Sequence, residues 1–180
     1  SDTGSTFRVD YGEYGYTEWT AIEFTDNTVE FSITVENTAT DGSRFTSFAL
    51  QDITPDATTI SILDEKSGWY VELLDDGKYP GGNTIELCFW AGKQCKGDGG
   101  DGLLSTDGVS TFSILLSGAN FEELGVTLGE FYAKFQKEEL GVEFERTGAV
   151  SVVSAVPIPA AVWLFGSGLL GLIGLSRKNS

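Results

Sequence analysis

The chain has 180 residues, a formal net charge of −16 and no histidine. The missing imidazole excludes Ser-His-Asp and Cys-His catalysis and leaves two cysteines a poor zinc site. So acidic a chain is repelled by nucleic acid and anionic lipid heads, which leaves cations, neutral glycans or its own copies as counterparts; solubility alone is the plainer account of the charge.

Strand patterns dominate residues 1–150. The first is predicted at 6–10, and a second at 19–24 follows a cluster of rings at Tyr11, Tyr14, Tyr16 and Trp19. Those rings either stack on sugar faces or pack in a core, and Gly12 and Gly15 between them predict a mobile segment. The cleanest alternation runs over 28–36, with Val29, Phe31, Ile33 and Val35 on one face and Thr, Ser and Glu on the other. That is the pattern of a half-buried antiparallel strand. Further strands are predicted at 45–51, 58–63, 69–74, 84–90, 109–116, 131–136, 142–145 and 149–153. Turn chemistry separates them at Thr40-Asp41-Gly42-Ser43, Asp75-Asp76-Gly77-Lys78 and Tyr79-Pro80-Gly81-Gly82-Asn83. Residues 120–124 can form one helical turn. About ten short strands without a long helical pattern predict an all-β fold, an antiparallel β-sandwich of jelly-roll or Ig-like kind, followed by a C-terminal hydrophobic α-helix. Residues 1–150 form the acidic domain, 151–156 a last strand or linker, and 157–180 a tail.

The tail differs sharply from the body. No charge occurs between Arg146 and Arg177. Pro157 and Pro159 block helix before Ala160, so the regular helix is expected over about 160–175, short for a permanent membrane span. Arg177 and Lys178 form a basic stop that stays cytoplasmic, with the body outside. Val156, Pro157, Ile158, Pro159 and Ala160, then Trp163, Leu164, Phe165, Gly166, Ser167, Gly168, Leu169, Leu170, Gly171, Leu172, Ile173 and Gly174, resemble the PEP-CTERM sorting signal of Gram-negative bacteria in its Val-Pro-x-Pro-Ala variant. Ile158 stands at the central position where Glu is also found, so the motif does not name the type of exosortase. The resemblance implies recognition by an exosortase in the inner membrane, export, and a place at the cell surface or in the exopolysaccharide matrix of a biofilm. An ordinary C-terminal anchor or a core helix is the alternative. The chain begins at Ser1 without Met, and the expectation is that an export signal has been removed. Gly166, Gly168, Gly171 and Gly174 would also let tails pack closely, so a retained tail predicts a homo-oligomer or filament.

In an exported protein Cys88 and Cys95 are expected to pair. The segment from Cys88 to Leu103, with its Cys-x-x-Ala-Gly-x-x-Cys-x-Gly pattern, resembles a loop of the cistern family of PEP-CTERM proteins. Asp98, Asp101 and Asp107 among its glycines are candidate calcium ligands, and a solvated loop explains the same run; no other cofactor is expected. The pairs Glu122-Glu123 and Glu138-Glu139 are not placed across any cleft, so no enzyme activity is expected. The functional expectation is a non-catalytic matrix or surface protein, with a lectin-like glycan-binding module as the alternative.

Overall fold

The computed structural model describes residues 4–95, 101–137, 140–146 and 150–152, the last two segments by backbone alone. The sorting motif at 156–160, the helix at 160–175 with Trp163 to Gly174, the basic stop at Arg177 and Lys178, and Asp98 lie outside the described residues. Thirteen strands are described: β1 (Thr6–Asp10), β2 (Gly15–Phe24), β3 (Thr28–Asn37), β4 (Arg44–Leu50), β5 (Ile53–Thr54), β6 (Ala57–Ile62), β7 (Trp69–Lys78), β8 (Thr84–Ala91), β9 (Val109–Gly118), β10 (Val126–Leu128), β11 (Phe131–Lys137), β12 (Leu140–Arg146) and β13 (Val150–Val152). A single helical turn, α1 (Phe121–Leu124), stands where the sequence places it.

Every described pairing is antiparallel. One sheet has the order β1-β2-β3-β9-β6 and the other β12-β11-β4-β8-β7, while β13-β10-β5 forms a small third sheet. The two large sheets bury one continuous core between them, which is the expected β-sandwich. The alternation of β3 turns Val29, Phe31, Ile33 and Val35 inward, each fully buried. Opposite them stand Phe48, Leu50, Leu87, Phe89, Phe131 and Phe135 from the second sheet.

Trp19 is the centre of this core. Its ring centroid lies 5.9 Å from Phe7, 5.8 Å from Phe31, 6.1 Å from Phe48, 5.6 Å from Phe89 and 5.9 Å from Phe131. The last four meet it edge-on, the arrangement the ring quadrupoles favour. A buried indole N–H needs an acceptor, and Trp19 Nε1 donates to Thr17 Oγ1 at 3.1 Å. Thr17 in turn shares a 3.3 Å hydrogen bond with the buried Tyr11 hydroxyl.

Three irregularities decide which side chains face out. Ile22 is the extra residue where the β2–β3 register shifts, and it points to solvent at 37% exposure. Thr46 is the extra residue of β4, so Phe45 and Phe48 both enter the core although they are three apart. In β7 the register jumps between Leu73 and Gly77. The expected turn at Asp75-Asp76-Gly77-Lys78 is therefore a bulge inside one strand, and Asp76 takes a positive φ of 52° there. The chain reverses only at Tyr79–Asn83, where Tyr79 N–H donates to Asn83 O at 2.9 Å. The expected mobile segment at Gly12 and Gly15 is a 3-10 turn (Gly12–Tyr14) leading straight into β2. A Cβ at Gly15 would collide with the Glu36 carbonyl, so the residue is glycine for close strand approach.

Thr17→Val preserves shape and removes the acceptor of the Trp19 N–H. It is expected to cost about 1–3 kcal/mol, the penalty of a buried unsatisfied donor. Thr20→Val on the outer face of the same strand should change stability by less than about 0.5 kcal/mol. Urea unfolding midpoints of the two variants check this, and equal losses would refute it.

Candidate functional site

Three surface features carry chemistry beyond packing. The first is the disulfide loop. β8 alternates, so Leu87 and Phe89 enter the core while Cys88 and Trp90 take the outer face. Cys88 is bonded to Cys95, with 5.9 Å between their Cα atoms, and no described cysteine is free. The bridge completes a small apolar cluster on that outer face with Ala49, Tyr79, Ile85 and Tyr132, next to Leu74 and Trp90. Within it Tyr79 and Ser47 share a 2.7 Å hydroxyl hydrogen bond.

The returning end of the loop is held firmly. Leu103 and Phe45 exchange both backbone hydrogen bonds, at 2.9 and 3.0 Å. The buried Asn37 amide donates to Leu103 O at 2.7 Å and to Ser43 O at 2.6 Å. Gly102 has φ +127°, and a Cβ there would lie 2.6 Å from Phe45 O. Between this end and the start of β7 lies a cleft of about 270 Å³. Asp101 and Asp107 both line it, with Trp69, Gly92 and Ser110. Two of the three candidate calcium ligands are thus brought together. The Asp107 carboxylate already accepts the Leu104 N–H at 2.8 Å. Among the described residues no group of three or more His, Cys, Asp or Glu side chains is placed to hold a metal.

The second feature is an outer-face aromatic pair. Tyr70 of β7 stands directly opposite Trp90 of β8. Their rings are stacked, 5.9 Å apart and within 21° of parallel, and Tyr70 is 54% exposed. The N-terminal rings take the packing alternative instead. Tyr11 and Trp19 are buried, and Tyr14 packs on Phe135 at 5.5 Å. Tyr16 is covered by the Arg8 guanidinium, 3.3 Å from its centroid, and donates its hydroxyl to Glu36. That hydrogen bond, then burial, raises the Tyr16 pKa above the usual phenol value. Both Tyr70 and Trp90 fall in expected strands. Their parity opposite core-facing Trp69 and Phe89 is the signal that could have marked them.

The third feature is an acidic pocket of about 190 Å³ lined by Gln51, Asp75, Asp76 and Glu86. Glu86 Oε2 accepts the Ile53 N–H at 2.9 Å, tying β8 to β5. Desolvation raises its pKa, the Ile53 bond opposes that, and Asp56 and Asp52 raise it further. Of the acidic pairs, Glu122 and Glu123 sit exposed on α1, and Glu138 and Glu139 lie outside the described residues.

No family model matches the chain, and no curated protein does. Among solved structures it is similar to the GAE domain of yeast GGA1, at 11% identity and a TM-score of 0.34 over 83% of this chain and 100% of that one. A second is the GAE domain of GGA2p from Saccharomyces cerevisiae, at 9% identity and a TM-score of 0.34 over 82% of this chain and 97% of that one. Likeness this low carries no functional argument.

Two outcomes are expected. Replacing both cysteines by Ser should cost about 2–3 kcal/mol, the loop-closure entropy of so short a ring, and a thiol assay on the unreduced, denatured protein should find no free thiol. Glu86 binds its proton more tightly folded than unfolded, so its contribution is present below about pH 4.5 and lost as pH rises through its folded pKa. The stability of Glu86→Gln relative to wild type should therefore grow as pH rises just above that value; a flat difference across pH would refute the assignment.

Proposed function

We propose that this protein is a non-catalytic structural component of a Gram-negative cell surface or extracellular matrix, delivered by its C-terminal tail. The observation that carries the reading is the disulfide-stapled acidic sandwich standing ahead of an uncharged, proline-led apolar tail. A disulfide suits an oxidising compartment. In this reading the exosortase recognises residues 156–160, the helix at 160–175 holds the chain transiently in the inner membrane, and Arg177 and Lys178 stay on the cytoplasmic side. The body then passes to the surface among exopolysaccharide. The strand orders β2-β3-β9-β6 and β4-β11-β12 follow the A-B-E-D and C-F-G orders of an Ig-like sandwich. This favours the Ig-like alternative over the jelly roll, with β1 added at one edge and the β7–β8 hairpin at another.

A tail that is retained must find membrane, detergent or other tails. Burying its apolar residues is worth several kcal/mol at about 25 cal/mol per Å², and heterologous packing of tails would build a filament rather than a closed dimer. The test compares chains with and without residues 157–180 by light scattering and electron microscopy. The tailed chain should associate in the absence of detergent and the truncated chain much less; a monomeric tailed chain would overturn the assembly reading.

The Tyr70–Trp90 pair favours glycan binding as the second reading, because Trp90 backs the exposed Tyr70 ring, whose outer side is open to a sugar face. Affinity electrophoresis in matrix polysaccharide should retard the wild type, and Tyr70→Ala with Trp90→Ala should abolish the retardation. Calcium belongs to this proposal at Asp98, Asp101 and Asp107. Calorimetry should give weak binding that Asp101→Asn and Asp107→Asn remove; unchanged binding would discard that site.

A further inference from the structure

We propose that the groove between β6 and β7 binds one ring of a neutral pyranose sugar, with Tyr70 as its aromatic wall and Glu65 as its hydrogen-bond acceptor. The inference rests on the glycan-binding reading above, and it names the site and the class of sugar.

The position of Tyr70 decides where a sugar can reach it. β7 is the edge strand of its sheet, and Trp90 of β8 covers the inner side of the ring, 5.9 Å away and 21° from parallel. The other side of the ring therefore points over the sheet edge, toward β6 of the opposite sheet. There a groove of about 280 Å³ runs between the two strands. Ile60 and Ile62 line it from β6, Tyr70 and Val71 from β7, and Ser61 and Glu65 add polar groups. Trp90 holds the ring from behind and need not touch the ligand.

This lining is amphipathic in the way a pyranose is. Ile60, Ile62 and Val71 are half-buried, and Tyr70 presents a ring that is 54% exposed. The C–H groups on one face of a sugar ring leave water against such a surface, and their positive edges suit the negative face of an aromatic ring. The polar groups beside it are unspent. The Glu65 carboxylate and the Tyr70 and Ser61 hydroxyls make no hydrogen bond with the described residues. A carboxylate accepts hydroxyl groups in hydrogen bonds roughly twice as strong as neutral ones.

Size and charge narrow the ligand. Pockets that enclose a whole drug-sized molecule run to roughly 300–1,000 Å³, so this groove suits a single sugar ring rather than an oligosaccharide. A uronate or a sulfated sugar would set its charge beside Glu65, on a protein of net charge −16, and be repelled. A cation would gain more from the carboxylates elsewhere than from a mostly apolar groove. A neutral pyranose matches both halves of the lining.

The full chain in mild detergent is therefore run by affinity electrophoresis in gels holding a neutral β-glucan, a neutral galactomannan or a polyuronate. Retardation by at least one neutral polymer is expected, and none by the polyuronate. Tyr70→Ala should abolish the retardation and Glu65→Ala should weaken it several-fold. Glu123→Ala, an exposed change on α1 that removes the same charge, should leave it as it is. Glu65 is itself exposed, and equal urea midpoints for Glu65→Ala and wild type check that the fold is kept. Retardation that Tyr70→Ala removes and Glu65→Ala leaves unchanged would put the sugar on the ring alone; the groove site then falls and the glycan reading stands. Retardation that survives Tyr70→Ala overturns the site. Retardation by the polyuronate as strong as by the neutral polymers overturns the class of sugar. No retardation by any of the three overturns the site and the glycan reading together.

Discussion

One buried indole sets the terms for the whole body. Trp19 is touched by rings from β1, β3, β4, β8 and β11, drawn from both large sheets. Aromatic side chains of this size dominate core energetics because each removes a large area from water and still has a preferred approach geometry. Five partners around one ring leave little freedom in the spacing or relative slide of the sheets. The same burial makes a demand on chemistry: the N–H must be satisfied, and Thr17 two residues earlier on the same face does so. A polar side chain inside an apolar stripe is thus the consequence of choosing Trp at its centre.

That demand explains what could be read in the sequence and what could not. The alternation at 28–36 is legible because large apolar side chains fill every inward position. β2 is expected only from Trp19, but it begins at Gly15. Its first inward positions are Gly15 and Thr17, one small for close approach to β3 and one polar to serve the indole, and neither counts as apolar. β5 and β10 span two and three residues, too short for any periodicity to register. The Asp-Asp-Gly run in β7 has the composition of a turn. It is a bulge because Tyr79–Asn83 a few residues later is a better reversal, with its own closing hydrogen bond. Local turn chemistry permits a bend; the strand partner decides whether the chain reverses there.

The candidate sites divide along the same line. The disulfide was legible because pairing needs only two cysteines and an oxidising destination. The cleft holding Asp101 and Asp107 depends on Leu103 docking against Phe45 and on β7 returning beside it, contacts between residues far apart in the chain. The outer pair Tyr70 and Trp90 depends on hairpin register, which the bulge in β7 shifts. Aromatic frequency alone pointed to the N-terminal rings, and burial assigns Tyr11 and Trp19 to the core, with Tyr14 packed against it.

Charge then organises the outside as the indole organises the inside. At −16 the body resists close approach by its own copies except where carboxylates are sparse. Among the described residues, two such places are the outer apolar cluster around the disulfide and the uncharged run of β6 with its groove. The two differ in what they ask of a partner. The outer cluster offers apolar side chains with the exposed Tyr70 ring beside it, so it fits a ligand with its own apolar face. The β6 run faces β7 across the groove, so a ligand there meets side chains of both large sheets. An acidic surface with a few neutral places therefore directs where contact occurs as well as keeping the chain in solution.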